Sequence, residues 1–529
     1  MSLYLGLDCS TQSLTGILLQ VEASEKHVLF RHTLQFDAEL PSYGTKNGVL
    51  PSSDPAVATS PPALWAAALD RFMEILTRRE RIDLSRLRAV SGAAQQHGSV
   101  YLNGSATERL RALDGKKPLA AQVPEMLSRT EAPIWMDTST MTECAEITAA
   151  VGGTEGLLQL TGSRAFERFT GPQIRKFSKR HPSAYAATDR IHLVSSFLGS
   201  LLTGAHAPID HGDGAGMNLM DLRAKAWSDR AVEATAPGLA AKLPPLVPSH
   251  TVIGQISPYW TERHGLPSCD VVAWTGDNLA SLIGVGLVDP DRRAISLGTS
   301  DTVFGLLGDL RVDPSGTSHV FGAPTGGYMA LTCFRNGSLA RERVRDAYGL
   351  DWEGFSNALR STPAANRGAI MLPWFEPEIT PPVSPAVVHR FGLDTTDAPA
   401  NVRAVVEAQM IAMAIHTTWM GSRASGIHAT GGAAQNRGIL QIMADVHEAD
   451  VYRFAITDSA ALGAALRAYH AQELAAGHAI TWQDVVAGIA VPDVSSRITP
   501  IPEHVGRYRD LRRVYAMREA EALRHVPRR

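Results

Sequence analysis

Residues 3–21 read LYLGLDCSTQSLTGILLQV, an apolar run that is interrupted by a short polar stretch and then resumes. The first run alternates like a β-strand, and Asp8–Ser13 consists of small and polar residues that favour turns. This stretch predicts a β-hairpin with a small-residue loop at its tip. Residues 294–307, AISLGTSDTVFGLL, repeat the pattern, with Gly298–Asp301 at the tip. Two hairpins of this kind predict a chain built from two related domains.

Between the hairpins, helical segments alternate with short apolar strands. Apolar residues recur at helical spacing after two prolines, at Trp65, Leu69, Phe72 and Leu76. A strand-like run, Leu87–Val90, follows this helix. Alternation of this kind predicts α/β domains with mostly parallel strand pairing behind each hairpin.

The domain boundary is expected just before Ala294, where a polar, proline-containing segment precedes the second hairpin. This gives an N-terminal domain of residues 1–290 and a C-terminal domain of residues 291–529. Residues 36–60 are rich in Pro, Gly and Ser and predict a long surface loop or insertion, which we expect to lie away from the predicted chemistry.

The composition restricts the kind of partner. The 529 residues include 50 Lys and Arg against 53 Asp and Glu, a formal net charge of -3, which argues against nucleic acid or an anionic membrane as the main partner. Hydrophobic residues make up 44% of the chain, so disorder is excluded as its main state. The four cysteines lack metal-binding spacing, and we find neither a signal-peptide pattern nor an apolar stretch of about 20 residues. We therefore expect free thiols and a cytoplasmic protein.

The two hairpin tips are candidate phosphate-binding loops. Small side chains at Asp8–Ser13 leave backbone N–H groups accessible to phosphate oxygens, whereas Asp8 itself would repel phosphate unless a cation such as Mg²⁺ lay between them. Gly298–Asp301 repeats this combination of hydroxyl and acidic groups, so two such loops could hold a triphosphate. The alternative is an ordinary turn. The sequence contains no GxxxxGK[ST] motif, so a nucleotide would not be held by a P-loop.

Three further polar segments are candidate ligand sites. Burial of Gln96 and its neighbours in Gln95–Gly98, between apolar runs, would be costly without partners such as those of a polyhydroxylated ligand. Asp277, at the end of an apolar strand, is placed to accept a proton from a substrate hydroxyl, or alternatively to cap the helix that follows. The glycines of Thr430–Asn436 would let the backbone pack against a flat ligand such as adenosine, or simply form the turn before a helix.

Eight motifs, in chain order, resemble those of the FGGY carbohydrate kinases, and most closely the xylulokinases of the animal type. The likeness extends from Leu5 to about His470. The motifs are LGLDCSTQS, SGAAQQHGSVY, APIWMDTST, GSRAFERFTGPQIRK, SPYW followed by WTGDNLAS, ISLGTSDTVF, CFRNGSLARERVRD and ATGGAAQNR. Many bacterial members carry an arginine shortly after the Trp-x-Asp element, where this chain has Thr138–Thr140.

The resemblance implies two actin-like (ribonuclease-H-like) domains, an N-terminal one that binds the sugar and a C-terminal one that binds ATP, with the ligand cleft between them. It implies Asp277 as the catalytic base and Asp8 as the residue that positions Mg²⁺. The implied sugar-binding residues are Gln96, His97, Asp137, Arg168, Asp277 and Asn278. The implied nucleotide-binding residues are Ser10, Thr11, Gly298, Thr299 and Ser300 at the phosphates, and Trp352, Gly431, Gly432 and Asn436 at the adenosine.

The predicted reaction is phosphoryl transfer from ATP to D-xylulose, which gives D-xylulose 5-phosphate. One alternative keeps the reaction and changes the acceptor to another ketose or polyol, such as ribulose, gluconate or glycerol. A second alternative, from a different class, is a non-catalytic actin-like nucleotide switch or sugar sensor. The expected partners are the sugar and ATP, with neither nucleic acid nor a membrane, and a homodimer is left open.

Overall fold

A computed structural model of the chain describes residues 1–79, 82–421, 423–454 and 458–525. These residues form two compact units, each of which contains both helices and strands, so the predicted α/β class is confirmed. The first unit consists of Met1–Val288, Val320–Tyr328 and Ile456–Val491, and the second of Asp289–His319, Met329–Ala455 and Pro492–Arg529. The second and third segments of the first unit lie within the expected domain 291–529, an arrangement that the sequence patterns do not indicate.

The first 288 residues contain many short elements. The strands are β1 (Ser2–Cys9), β2 (Ser13–Glu22), β3 (Glu25–Gln35), β4 (Thr59–Ser60), β5 (Leu87–Ala94), β6 (Ser99–Asn103), β7 (Ala132–Pro133), β8 (Thr188–Leu193), β9 (Ile209–Asp210), β10 (Met220–Asp221), β11 (Ala226–Trp227), β12 (Leu246–Val247), β13 (Val252–Gln255), β14 (Asp270–Val272) and β15 (Thr275–Gly276). The helices are α1 (Phe36–Glu39), α2 (Pro62–Thr77), α3 (Ala106–Arg111), α4 (Leu119–Gln122), α5 (Met141–Ala150), α6 (Gly153–Thr161), α7 (Thr170–Arg180), α8 (Pro182–Ala186), α9 (Val194–Thr203), α10 (His211–Ala215), α11 (Asp229–Thr235), α12 (Pro258–His264) and α13 (Asp277–Gly284).

The later part of the chain has longer helices. Its strands are β16 (Arg292–Leu297), β17 (Asp301–Leu307), β18 (His319–Gly322), β19 (Tyr328–Phe334), β20 (Ile370–Trp374), β21 (Val387–Phe391), β22 (Gly426–Thr430), β23 (Asp450–Arg453) and β24 (Asp493–Ile498). Its helices are α14 (Ser338–Ala347), α15 (Trp352–Ser361), α16 (Ala398–His416), α17 (Arg437–His447), α18 (Ser459–Ala475), α19 (Trp482–Val486) and α20 (Pro502–Leu523).

The first predicted hairpin is present and lies inside a larger sheet. β1 pairs antiparallel with β2, with Asp8 opposite Thr15, and parallel with β5, with Cys9 opposite Ala94. β15 pairs parallel with β5, which places Gly276 opposite the same Ala94. The main strand order is β13-β14-β5-β1-β2-β3. The carboxyl ends of β1, β5 and β15 therefore meet at one edge of the sheet.

The second predicted hairpin has the same surroundings in the other unit. β16 pairs antiparallel with β17, with Leu297 opposite Asp301, and parallel with β22. β22 in turn pairs parallel with β23. The strand directions around β16 thus repeat those around β1, as expected for related domains.

Helical packing follows the predicted periodicity. Trp65, Leu69, Phe72 and Leu76 all lie on α2 and are fully buried, which confirms the predicted helix. In the second unit, α16 is buried along most of its length. Across the ranges that the structure describes, we find no helix with the length and apolar character needed to cross a bilayer.

The segment 36–60 is more ordered than a surface loop. It begins with α1, whose first residue, Phe36, is fully buried. It ends with β4, which is buried and pairs with β7. The prediction of a long surface loop is therefore wrong at both ends, because a buried aromatic side chain and a strand pairing fix them.

Helix α18 packs very closely on the rest of the first unit through glycines. A Cβ atom at Gly6 of β1 would lie 2.1 Å from the carbonyl oxygen of Ala461, and one at Gly463 would lie 1.8 Å from that of Ala280 in α13. Neither position can accept a side chain without backbone movement. These contacts join α18 to the strand and the helix that carry Asp8 and Asp277.

We predict that Gly463→Ala lowers the free energy of unfolding by about 1–3 kcal/mol, because overpacking outweighs the higher helix propensity of alanine. Gly506→Ala in α20 is the matched control. Among the described residues nothing lies within 4 Å of a Cβ there, so this variant should gain up to about 1 kcal/mol. Calorimetry measures the melting temperature of both variants. Equal changes in melting temperature for Gly463→Ala and Gly506→Ala would contradict the packing argument.

Candidate active site

Polar side chains collect where three parallel strands of the first unit end. Asp8 lies near the end of β1, Gln95 and Gln96 directly follow β5, and Asp277 directly follows β15. The parallel registers of β1 and β15 with β5 bring these positions together. The carboxyl edge of a sheet is where α/β proteins commonly bind ligands.

Asp8 is in an unfavourable electrostatic environment. Burial, followed by the charges of Asp277 and Asp458, raises the pKa of its carboxyl group well above the usual range. Its Oδ1 atom is buried, and no hydrogen-bond partner for this atom is found in the part of the chain that the structure describes. A carboxylate in such a position is stabilised by a proton or by a cation.

Asp277 is the first residue of α13, and Gly276 is the N-cap, so the alternative role of Asp277 as the capping residue is wrong. Its Oδ1 accepts hydrogen bonds from the backbone N–H of Asn278 at 2.8 Å and from the Asn278 side-chain amide at 3.1 Å. Burial raises the pKa of Asp277 to about 6. This value suits a general base that works near neutral pH.

The two glutamines beside Asp277 have unused hydrogen-bonding capacity. Gln96 Oε1 accepts a hydrogen bond from Asn278 Nδ2 at 3.0 Å. Gln96 Nε2 and both amide atoms of Gln95 are buried without a partner among the residues described. Leaving such groups unpaired costs about 1–3 kcal/mol each, so they are suited to binding a polar ligand. Gln95 is not among the sugar-binding residues that the resemblance implies, although the polar run in the sequence includes it.

His97 is held in a strained backbone conformation, with φ of 70°. Its Nδ1–H donates to the carbonyl oxygen of Gly216 at 2.8 Å, and its ring stacks on Phe169 with the centroids 4.3 Å apart. Burial, and secondarily the charge of Arg168, lowers its pKa to about 3. The imidazole is therefore neutral, and its Nε2 is a hydrogen-bond acceptor. Strain at a polar residue of this kind is typical of binding sites.

Arg168 lies close enough to His97 for its charge to lower the pKa of the imidazole, and it comes just before α7. The Thr170 hydroxyl, at the first residue of that helix, donates to the backbone carbonyl of His97 at 2.9 Å. The Arg168 guanidinium carbon lies 5.4 Å from the ring centroid of Phe166. The structure thus brings together Asp8, Gln96, His97, Arg168, Asp277 and Asn278.

Asp137 has a structural role in the first unit. It is 1% exposed, and its Oδ1 accepts hydrogen bonds from the Ser139 backbone N–H at 3.0 Å and from Gln173 Nε2 at 2.7 Å. Its Oδ2 accepts from the backbone N–H of Ala58 at 3.2 Å. These contacts make Asp137 an anchor for segment 36–60, and its contact with a sugar stays a prediction.

The phosphate-loop residues Ser10 and Thr11 are also held in place. The Ser10 hydroxyl donates to the backbone carbonyl of Ser13 at 3.2 Å, and Thr11 Oγ1 accepts from Trp135 Nε1 at 2.8 Å. A Cβ atom at Gly48 would lie 1.8 Å from the carbonyl oxygen of Thr11. The expectation that segment 36–60 lies away from the site is therefore wrong, because it packs directly on the loop.

The chemistry around Asp8 fits Mg²⁺ held in part by a ligand. Within the described ranges, no group of three or more His, Cys, Asp or Glu side chains is arranged to hold a metal ion. Mg²⁺ in enzymes is commonly bound by one or two carboxylates, with phosphate oxygens and waters as its other ligands. The unpartnered Oδ1 of Asp8 meets that requirement.

The second unit contains its own cavity, of about 620 Å³, at the second hairpin tip. Five of the implied nucleotide-binding residues line it, namely Gly298, Thr299, Trp352, Gly432 and Asn436. The other lining residues include Gln435, which belongs to the predicted segment Thr430–Asn436, and Ser338, Arg341, Glu342, Ser356 and Ile439, which the sequence did not indicate as site residues. A cavity of this size accommodates a ligand as large as a nucleoside.

Two of the implied residues lie outside the cavity lining, and a third, Asn436, lines the cavity but also has a structural role. Ser300 and Gly431 are not among the residues that line the cavity. Gly431 has a φ of 86°, and a Cβ atom there would lie 2.4 Å from the carbonyl oxygen of Leu297, so it allows β16 and the following turn to approach closely. Asn436 caps α17, since its Oδ1 accepts from the backbone N–H groups of Gly438 at 2.9 Å and Ile439 at 3.2 Å. Contacts of these residues with a nucleotide stay predictions.

Known proteins resemble this chain over nearly its whole length. Residues 3–284 match the N-terminal domain of the FGGY family of carbohydrate kinases, and residues 293–472 match its C-terminal domain. This chain belongs to the FGGY family of carbohydrate kinases. It is 42% identical to xylulose kinase of Rattus norvegicus, over 98% of this chain and 97% of the relative. It is 43% identical to xylulose kinase 2 of Arabidopsis thaliana, over 89% and 87%.

Solved structures share the fold of this FGGY kinase. The xylulose kinase from Rhodospirillum rubrum aligns with a TM-score of 0.81 at 21% identity and covers 98% of both chains. The ligand-bound xylulose kinase from Lactobacillus acidophilus aligns with a TM-score of 0.81 at 18% identity and covers 99% of both. The predicted two-domain α/β fold is thereby confirmed.

The acidic residue of the second hairpin tip differs from Asp8 of the first. Asp301 is fully buried and accepts two hydrogen bonds from Arg341, at 2.8 and 3.1 Å. Arg341 also donates to Gln409 Oε1 at 2.8 Å, and Gln409 Nε2 donates to the carbonyl oxygen of Gly337 at 2.8 Å. Asp301 therefore holds the loop in place and, unlike Asp8, has its carboxylate fully engaged.

We predict that neutralising Asp8 and neutralising Asp301 change the stability of the fold in opposite directions. Asp8→Asn should raise the stability of the free kinase at pH 7 by on the order of 1 kcal/mol, because it removes a crowded negative charge. Asp301→Asn should lower it by about 3–5 kcal/mol, because Arg341 is then buried without its counter-charge. Chemical denaturation measures both, and destabilisation by Asp8→Asn comparable with that of Asp301→Asn would show that Asp8 is structural.

Proposed function

We propose that this kinase transfers the γ-phosphoryl group of ATP to D-xylulose and releases D-xylulose 5-phosphate and ADP. The observation that carries the proposal is Asp277, a carboxylate of raised pKa beside the unpaired amides of Gln95 and Gln96. The choice of sugar is supported by relatives named xylulose kinases, 42–43% identical over most of the chain.

Asp277 is assigned as the general base. Its carboxylate takes the proton of the attacking sugar hydroxyl while that oxygen forms a bond to the γ-phosphorus. The bond from the γ-phosphorus to the bridging oxygen breaks, and ADP leaves with the electron pair. The hydrogen bonds from Asn278 keep the Asp277 carboxylate in a fixed orientation.

The remaining polar groups of the first unit are assigned to the sugar. Neutral His97 accepts a hydrogen bond from a sugar hydroxyl, and Arg168 donates to sugar oxygens. The free amide atoms of Gln95 and Gln96 pair with further hydroxyl groups. A site whose buried polar groups are satisfied only by the substrate discriminates strongly against an analogue that lacks one hydroxyl.

Asp8 is assigned to Mg²⁺, which when bound would neutralise charge on the phosphate oxygens of ATP. The cavity of the second unit is assigned to the nucleotide, with Trp352 and Gly432 at the adenosine and Gly298–Ser300 at the phosphates. These roles correspond to a sugar-binding domain at residues 1–290 and a nucleotide-binding domain at residues 291–529.

We predict that ADP release depends on the sugar and on Asp277. Across a panel of D-xylulose, D-ribulose, gluconate and glycerol, kcat/KM should be highest for D-xylulose. Asp277→Asn should lower kcat by about 10² or more while the KM for the sugar changes little, because the lost interaction forms in the transition state. Preference for another acceptor would reassign the substrate, and sugar-independent ATP hydrolysis would favour the sensor alternative.

We also predict an acidic limb in the pH profile of kcat/KM. Asp277 must be deprotonated to act as a base, so the rate should fall about tenfold per unit below a pKa of about 6. Because the folded-state pKa is raised above the unfolded value, protonation of Asp277 stabilises the fold, and the decline cannot come from unfolding caused by this group. A flat profile between pH 5 and 7, with the fold intact by circular dichroism, would remove Asp277 from the role.

A further inference from the structure

The first unit contains a cavity of about 490 Å³ whose lining includes none of the candidate active-site residues. Its lining includes the basic residues Arg129, Lys176 and Arg180 and one carboxylate, Glu131. Lys176 and Arg180 lie on α7, and Arg180 is the last residue of that helix. The cavity is therefore distinct from the site around Asp277 and has a positive lining.

Among the side chains described, the three basic residues of the cavity lack ion pairs of the kind that the neighbouring Lys179 forms. Within the described part of the chain, Arg129, Lys176 and Arg180 take part in no ion pair with a carboxylate. Lys179, on the same helix but outside the cavity, pairs with Glu146 at 2.7 Å. Three positive charges that form no ion pair in the described ranges, against one carboxylate around the same concave surface, favour an anion.

Two of these cations are held in position before any ligand binds. The Arg129 guanidinium lies 5.2 Å from the ring centroid of Tyr101 and 5.1 Å from that of Phe177. Lys176 Nζ donates to Ser139 Oγ at 2.5 Å. Side chains that are already ordered lose less conformational entropy when a ligand binds.

The other lining groups indicate the kind of anion. Ser128, Thr130 and the Glu131 carboxylate add hydrogen-bonding groups that suit hydroxyls, and the cavity volume lies within the range of small-molecule sites. Arginine and lysine bind phosphate oxygens strongly, and arginine does so with two parallel hydrogen bonds. We propose that this cavity is a second binding site, for the phosphate monoester of a polyhydroxylated small molecule.

Calorimetric titration of the full-length chain tests the proposal, with D-ribose 5-phosphate and inorganic phosphate as probes. Arg180→Gln and Arg129→Gln should each weaken ribose 5-phosphate binding by about tenfold or more, because each removes a charge-assisted contact. Lys179→Gln is the matched control, with equal loss of charge on the same helix, and should bind within about twofold of the wild type. Arg180 is exposed, so its substitution leaves the fold intact even if Arg129→Gln does not.

Three results would overturn the site. They are the absence of wild-type binding, equal affinity in Arg180→Gln and Lys179→Gln, and displacement of ribose 5-phosphate by excess D-xylulose, which would place the ligand in the active site. The two probes separate the parts of the ligand. Ribose 5-phosphate that binds more tightly than inorganic phosphate supports recognition of the hydroxyls, and equal affinities would contradict that part of the proposal.

Discussion

Burial of the two carboxylates of Asp8 and Asp277 is the constraint on which the rest of the first unit depends. The parallel registers of β1, β5 and β15 place both carboxylates at one sheet edge, and burial makes their charges more costly than in water. The fold must hold them there although burial disfavours the charged form of each. Such an arrangement is expected where function, rather than stability, determines the residue.

The cost is offset by rigid packing behind the strand ends. Glycine contacts seat α18 directly on β1 and α13, and its buried Arg467 donates to the carbonyl oxygens of Gly92 at 3.2 Å and Ser249 at 2.9 Å. Burial lowers the pKa of Arg467 to about 10, so its guanidinium remains charged at neutral pH. Helix α18, from late in the sequence, thus packs against strands β1 and β5 from the first 94 residues and fixes their positions.

Local patterns in the sequence were enough to predict both hairpins, α2, and the strand-end positions of Asp8, Gln96 and Asp277. They could not show that α18 joins the first unit, because that contact lies more than 400 residues from β1 and depends on glycines that fit only in three dimensions. The ion pair between Asp301 and Arg341 also depends on contacts formed only in the folded chain. The local sequence around an aspartate in a turn does not show whether its side chain is exposed or buried. Segment 36–60 looked like a loop because its anchors are a single buried phenylalanine and a two-residue strand.

The most direct test is a crystal structure of the kinase with D-xylulose, Mg²⁺ and a non-hydrolysable ATP analogue. We expect an Asp277 carboxylate oxygen within about 3 Å of the hydroxyl on C5 of the sugar, with that hydroxyl in line with the γ-phosphorus. A structure in which Asp277 bonds only to protein groups, with the C5 hydroxyl held by a different acceptor, would contradict the assignment of Asp277 as the base.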